Sequence, residues 1–180
     1  MALKLPRTIR LDPSDTFVYS RAAEPGEWAV TGTFLFFDTD PETLAGKERQ
    51  AFRAGFLGIG SFGWSTLAVV TEASAEERAA AVERLAEQLV AHCGAPDLET
   101  ARPAAEEEIA FAQSLCGHPP NTLLALHRAS EQTGIRESFR TLRQKVSRLD
   151  MATAFRVIEV DEEDGPVEEF DIRALAGKHL

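Results

Sequence analysis

Cysteine is scarce in this 180-residue sequence, which contains only Cys93 and Cys116. Two cysteines are too few for the disulfide framework of a small secreted domain, and their scarcity is typical of a reducing compartment. No stretch approaches the roughly 20 consecutive apolar residues that a membrane-spanning helix needs, and the first residues lack the apolar region of a signal peptide. We therefore predict a cytoplasmic protein without membrane contact.

Positive charge is also in short supply. Lys and Arg together number 19 against 29 Asp and Glu, which gives a formal net charge of −10. Because proteins bind the phosphate backbone mainly through Lys and Arg, this charge argues against nucleic acid as a partner. The segment 118–150 is the exception, with an excess of basic over acidic side chains.

The pattern of apolar residues predicts a globular α+β protein. Alternation and β-branched content predict strands at 3–11, 16–19, 28–37 and 64–71, and a hairpin over 123–142 that turns near 132–134. Because the strands form groups before and after the helices, we expect an antiparallel sheet with a layer of helices on one face.

Three helical segments lie between these groups of strands. Asp40-Pro41-Glu42 is typical of a helix start and predicts one helix, or two short ones, to about Ala54. Ser74 and Glu77 can form a capping box at the start of a helix that runs to about Cys93. Another helix is predicted from about Pro103 to Leu115.

The chain divides into two parts by charge and pattern. We predict a single α+β domain over residues 1–143. Residues 144–180 form an acidic C-terminal extension, in which 155–160 is predicted as a strand. This extension is expected to pack on the domain or on another subunit.

Gly58, Gly60 and Gly63 match the G-x-G-x-x-G pattern of dinucleotide-binding loops. In that fold the glycines follow a strand and open a helix, whose N-terminus holds the pyrophosphate. Here a predicted helix precedes the motif and a strand follows it. The reversed order favours a tightly packed helix-to-strand connection over a nucleotide site.

Four potential metal ligands occur in two pairs, His92 with Cys93 and Cys116 with His118. A structural zinc ion needs four ligands at about 2.0–2.3 Å. Both pairs lie at the C-terminal ends of successive predicted helices, and an antiparallel helix pair separates such ends by about 21 Å. We therefore predict no metal and no cofactor, and unreactive, packed cysteines.

A basic stripe is the first candidate binding site. Arg136 and Arg140 are predicted on one face of the last hairpin strand, with Arg128 on the partner strand. Together with Arg10 they would bind an anionic ligand, because guanidinium groups form paired hydrogen bonds with carboxylates and phosphates. The alternative is that nearby carboxylates of the chain pair with them.

Aromatic residues in the first third of the chain are the second candidate. Most of them must belong to the core. Phe56, Phe62 and Trp64 are predicted to form an interaction surface, because apolar side chains in excess of the core mark an interface with a partner or a second copy.

Five short segments resemble a small bacterial family of unknown function. They are Leu5-Pro6-Arg7-Thr8-Ile9-Arg10-Leu11-Asp12, Phe52-Arg53-Ala54-Gly55-Phe56-Leu57-Gly58 with Phe62-Gly63-Trp64-Ser65, His118-Pro119-Pro120, and Phe139-Arg140-Thr141-Leu142. The resemblance covers about residues 3–143 and implies no activity and no catalytic residues. It implies that the protein shares a functional neighbourhood with maturation factors of molybdenum-dependent, formate-dehydrogenase-like enzymes and with a lipoate-ligase-like protein.

Two hypotheses for the function follow. The first is a non-enzymatic accessory protein that binds a protein partner or a second copy of itself, linked to maturation of a molybdenum-dependent oxidoreductase. The second is a binding protein or enzyme that holds a small anion in an arginine-lined pocket. A deep pocket with convergent arginines would favour the second hypothesis, and an exposed apolar patch would favour the first.

Overall fold

A computed structural model describes residues 2–142 and the short strand 170–171. The elements are, in chain order, β1 (Lys4–Ile9), β2 (Ala29–Val30), α1 (Gly46–Ala54), β3 (Phe56–Gly58), β4 (Trp64–Ser65), β5 (Leu67–Glu72), α2 (Ala75–His92), α3 (Leu98–Ser114), β6 (Leu123–Glu131), β7 (Gly134–Leu142) and β8 (Phe170–Asp171). Short 3₁₀ helices lie at Pro13–Phe17, Thr33–Phe36 and Pro41–Thr43. The strand predicted at 155–160 lies outside the described residues.

The strands form two antiparallel sheets. One has five strands in the order β1-β5-β6-β7-β8, and the other has three in the order β2-β3-β4. A bridge between Arg7 and Trp28 links the free edge of β1 to the segment that leads into β2. The amide of Thr8 donates to the carbonyl of Glu27 at the same place, at 2.8 Å. The predicted α+β class and antiparallel pairing are confirmed.

The helices α2 and α3 pack against each other and against the sheets. The predicted capping box is confirmed, since Ser74 Oγ accepts from the Glu77 amide at 3.1 Å and the Glu77 carboxylate accepts from the Ser74 amide at 2.8 Å. The main apolar core joins Leu85 and Ile109 of these helices to Leu57 of β3. None of the helices in residues 2–142 is long and apolar enough to span a membrane.

Helix α3 begins earlier than predicted. Asp97 caps it by accepting a hydrogen bond from the Thr100 amide at 2.7 Å, and Pro103 lies inside the second turn. The hairpin of β6 and β7 turns at residues 132–133, as predicted, and pairs nine residues on each side.

Two predicted strands are wrong. Residues 13–17 form a 3₁₀ helix because Asp12 and Asp15 cap it reciprocally, with Asp12 accepting from the Ser14 amide at 2.8 Å. The strand predicted over 28–37 stops after Val30. Gly32 adopts a φ of +75°, which favours glycine, and a Cβ there would lie 2.6 Å from the Cβ of Leu57.

Candidate functional site

A buried ion pair joins the two strands of the hairpin. Arg128 on β6 and Glu137 on β7 are direct partners in the register and are 1% and 0% exposed. Arg128 Nε lies 3.1 Å from Glu137 Oε1 and 2.7 Å from Thr33 Oγ1. The prediction that Arg128 joins a surface stripe with Arg136 and Arg140 is therefore wrong, because alternation along the strands puts it on the opposite face.

The Arg128 guanidinium also ties three distant segments together. Its Nη1 donates to the carbonyls of Ala51, Phe52 and Gly55 at 3.3, 3.0 and 2.9 Å, and its Nη2 donates to the carbonyl of Thr31. The first three carbonyls lie in the last turn and at the C-cap of α1, where most carbonyls lack an intrahelical partner; that of Ala51 also accepts from the Gly55 amide at 3.0 Å. Arg128 thus acts as a buried helix cap that fixes α1 to the sheet.

Two carboxyl groups beside this cation have unusual acidity. Burial raises the pKa of Glu137, and the Arg128 guanidinium opposes that shift. Burial and the neighbouring Glu137 carboxylate raise the pKa of Glu108, on α3, to about 7. Among the described residues, Glu137 Oε2 is buried and accepts no hydrogen bond. This part of the core is therefore sensitive to pH.

A small cleft opens beside the ends of β1 and β5. Its volume is about 120 Å³, and we call it the Tyr19 cleft. It is lined by Ile9, Leu11, Asp15, Tyr19, Trp64, Ser65, Thr66 and Leu67. Tyr19 Oη lies 2.7 Å from Thr66 Oγ1, and burial raises the pKa of Tyr19, which keeps the phenol neutral. The Trp64 ring stacks on Phe36 with 5.4 Å between centroids.

Two exposed apolar side chains belong to the lining of the Tyr19 cleft or neighbour it in the chain. Leu11 is 51% exposed, and Phe17, two residues from both Asp15 and Tyr19, is 74% exposed. The sequence did not indicate the exposure of either residue, because both were assigned to strands, in which every second side chain is expected to be buried. The aspartates around Pro13 are the signal that indicates a turn there.

The predicted aromatic surface is corrected in part. Phe56 is fully buried, because β3 is the central strand of its sheet and packs Phe56 against Ala68 and Leu124. Phe62 is partly buried and stacks on His92 with 4.9 Å between ring centroids. Trp64 is also partly buried and contributes to the Tyr19 cleft.

The structure does not bring together the arginines of the predicted anion-binding site. Arg10 donates to the carbonyl of Ala23 at 2.8 Å, on the side of β1 away from β5. Ile9, the neighbour of Arg10, lies in register with Arg140 across the two intervening strands β5 and β6. Three strand spacings therefore separate the backbones of Ile9 and Arg140, which is about 14 Å. Arg136 and Arg140 do share the outer face of β7, and Arg136 pairs with Glu131 at 3.1 Å.

The glycine motif encloses a carboxylate of the chain itself. Glu27 accepts hydrogen bonds from the amide and the hydroxyl of Ser61, the latter at 2.7 Å. A Cβ at Gly58 or Gly60 would lie 2.5 Å from a carboxylate oxygen of Glu27. These two glycines therefore leave room for Glu27, which explains the pattern without a nucleotide.

The cysteines are free thiols of low reactivity. Cys116 is buried, and burial raises its pKa to about 12, whereas the exposed Cys93 has its pKa raised by partial burial. A thiol reacts through its thiolate, so both shifts disfavour nucleophilic chemistry. Across residues 2–142, no cluster of three or more His, Cys, Asp or Glu side chains is placed to hold a metal.

These features define a class: an acidic α+β protein with a buried Arg–Glu pair and a small cleft lined by both apolar and polar side chains. The chain belongs to a family of unknown function, DUF6505, which matches residues 1–165. This confirms the resemblance to a family of unknown function and carries it beyond residue 143. No curated protein and no solved structure matches the chain.

Proposed function

We propose that this protein is a non-enzymatic accessory protein that binds a protein partner through the Tyr19 cleft and its rim. The observation that carries the proposal is the exposure of Leu11, which lines the cleft, and of Phe17, which lies between the lining residues Asp15 and Tyr19 in the chain. Large apolar side chains that neighbour a cleft are typical of binding sites, whereas scattered ones are ordinary.

The apolar area at the rim is large enough to contribute to binding. An aromatic side chain offers about 150–250 Å². Full burial of a phenylalanine contributes about 1.5–3 kcal/mol, so covering the three quarters of Phe17 that is exposed would contribute roughly 1–2 kcal/mol. That is an upper value, because association also costs translational, rotational and side-chain entropy.

The polar groups of the cleft support the same proposal. Tyr19 and Thr66 bond to each other, and Ser65 Oγ donates to the carbonyls of Ile9 and Leu67 at 3.1 and 2.7 Å. With these hydroxyl groups engaged within the chain, a partner would meet the apolar side chains of the lining and the Asp15 carboxylate. Such a surface suits an apolar side chain of a partner better than a polar substrate.

The resemblance to a family beside molybdenum-enzyme maturation factors sets the first class of partner to test. We would isolate proteins from cell extract on the immobilised chain and on three variants, Leu11→Ser, Phe17→Ser and Phe37→Ser. Phe37 is the matched control, since it is a 51% exposed phenylalanine that lies outside the 3₁₀ helix Pro13–Phe17, which carries the lining residue Asp15.

We expect one protein, a molybdenum-dependent oxidoreductase or one of its maturation factors, to be retained by the parent and by Phe37→Ser. The same protein should be lost from Leu11→Ser and Phe17→Ser. Equal retention by all four chains would contradict the proposal. Loss from Phe37→Ser alone would place the binding surface elsewhere.

A second candidate function is binding of a small anion by Arg136 and Arg140. The observation in its favour is that both side chains, with Ser138 between them, share the outer face of β7. Titration with inorganic phosphate, followed by NMR, tests it. Saturable shifts that are lost in Arg140→Gln would support anion binding, and unsaturated shifts would exclude it.

A further inference from the structure

We infer that the segment recognised at the Tyr19 cleft presents one aromatic side chain next to a Lys or Arg. This inference rests on the proposed function and specifies the chemistry of the partner. It follows from the size of the cleft, its floor and its charge.

The cleft has the size of one aromatic ring. Its volume is about 120 Å³. For comparison, an apolar protein cavity of about 150 Å³ takes up benzene. The Tyr19 cleft is somewhat smaller and is open on one side, so one ring is the upper limit for a guest, and a dipeptide or a nucleotide is too large to enter it.

The floor of the cleft is aromatic and held in place. Trp64 stacks on Phe36 at an interplanar angle of 28°, and Phe36 in turn contacts the edge of Phe52, with 5.2 Å between the two centroids. Tyr19 is fixed by its hydrogen bond to Thr66. Because Tyr19 is only 2% exposed, the aromatic surface that a guest would meet comes mainly from Trp64. A rigid aromatic surface favours an aromatic guest, because stacked and edge-to-face ring pairs contribute beyond their buried area.

A carboxylate sets the charge of the site. Asp15 is the charged residue of the lining, and its Oδ2 accepts from the amides of Leu11 and Asp12 at 2.9 and 3.2 Å. Among the described residues, Oδ1 accepts no hydrogen bond. A carboxylate can accept about four, so a cation next to the bound ring has an acceptor at the rim.

A basic partner is favoured over a second copy of this chain. In a two-fold dimer the same patch faces itself, so Phe17 of each copy would enter the other cleft and the two Asp15 side chains would approach. Like charges across an interface oppose association, and the chain carries a net charge of −10. A cationic partner would instead be attracted by the negative charge of Asp15 and of the chain.

Three blocked tetrapeptides test the inference on the full chain, labelled with ¹⁵N. They carry Phe-Arg, Phe-Glu or Ala-Arg between terminal glycines, and binding is read from the amide shifts of Leu11, Thr66 and Leu67. We expect saturable binding of the Phe-Arg peptide, at least threefold tighter than Phe-Glu, and no saturable binding of Ala-Arg. In Asp15→Asn, whose amide oxygen can still accept at the turn, the preference for Arg over Glu should disappear.

Several results would overturn the inference. They are equal affinity for the first two peptides, binding of Ala-Arg as tight as Phe-Arg, or no saturable shift with any of them. A dimer in native mass spectrometry that Phe17→Ser dissociates would instead assign the cleft to a second copy. If the peptides fail while Phe17→Ser still abolishes retention of a protein from extract, the proposed function stands and this inference falls. If both fail, the docking role of the cleft falls as well.

Discussion

Replacing Arg128 by Met should be among the most destabilising single changes in residues 2–142. The substitution leaves Glu137 buried without its cation, and breaking a buried pair in this way costs about 3–5 kcal/mol. It also removes the donor to three carbonyls at the end of α1. Against a typical total stability of about 5–15 kcal/mol, such a loss leaves the protein marginally folded.

A double-mutant cycle with Glu137→Gln separates the ion pair from the cap. Arg128 keeps five of its six acceptors when Glu137 becomes neutral, so Glu137→Gln should cost only about 1–3 kcal/mol. The double variant should be less destabilised than the sum of the two single variants, because no unpaired carboxylate remains. Urea unfolding at pH 7, followed by tryptophan fluorescence, measures all four chains.

The pH dependence gives a second readout. Without Arg128, burial alone acts on Glu137 and raises its pKa further. A carboxyl group whose pKa is higher in the folded than in the unfolded state stabilises the fold at low pH and loses that contribution as pH rises. The cost of Arg128→Met should therefore shrink between pH 7 and pH 5, and this change should be smaller in the double variant, where only Glu108 still titrates beside the site. A cost below about 1 kcal/mol at pH 7, or the same cost at both pH values, would refute the reasoning.

Three further predictions concern the carboxylate and glycine positions. In urea titrations, Glu27→Ala should lower the free energy of unfolding by about 1–3 kcal/mol, because charge-assisted hydrogen bonds are lost. Glu24→Ala, an exposed control, should lower it by less than about 0.5 kcal/mol. Gly63→Ala should be more destabilising than Gly60→Ala, because its Cβ would lie 2.7 Å from backbone atoms whereas that of Gly60 meets the movable end of a side chain; equal melting temperatures would contradict this. Glu108→Gln should stabilise the protein at pH 8 but not at pH 5. The reason is that the raised pKa of about 7 makes the ionised Glu108 carboxyl of the parent unfavourable as pH rises through that value. Parallel stability curves of variant and parent would exclude this prediction.

Local signals in the sequence were sufficient for part of the fold. The capping box of Ser74 and Glu77 lies within four residues, and the hairpin is specified by its alternation and a short turn. The strand predicted over 28–37 was wrong because Gly32 takes a left-handed conformation to meet β3, a contact that the local pattern does not contain.

The site depended on long-range packing. A charged residue such as Arg128 is usually exposed, and five of its six acceptors lie 73–97 residues away in the chain. The Tyr19 cleft likewise combines the end of β1, a 3₁₀ helix that resembled a strand, and the start of β5. The role of Trp64 in an interaction surface stays a prediction, and nothing in the sequence indicated that Phe56 belongs to a central strand.

The docking role of the Tyr19 cleft is tested most directly by photo-crosslinking in living cells. A benzophenone analogue of phenylalanine replaces Phe17 in one chain and Ala80, an exposed residue of α2, in the control chain. The account predicts one discrete crosslinked protein at position 17, absent at position 80 and suppressed when Leu11→Ser is added. No crosslinked protein at position 17, or the same pattern at both positions, would contradict it.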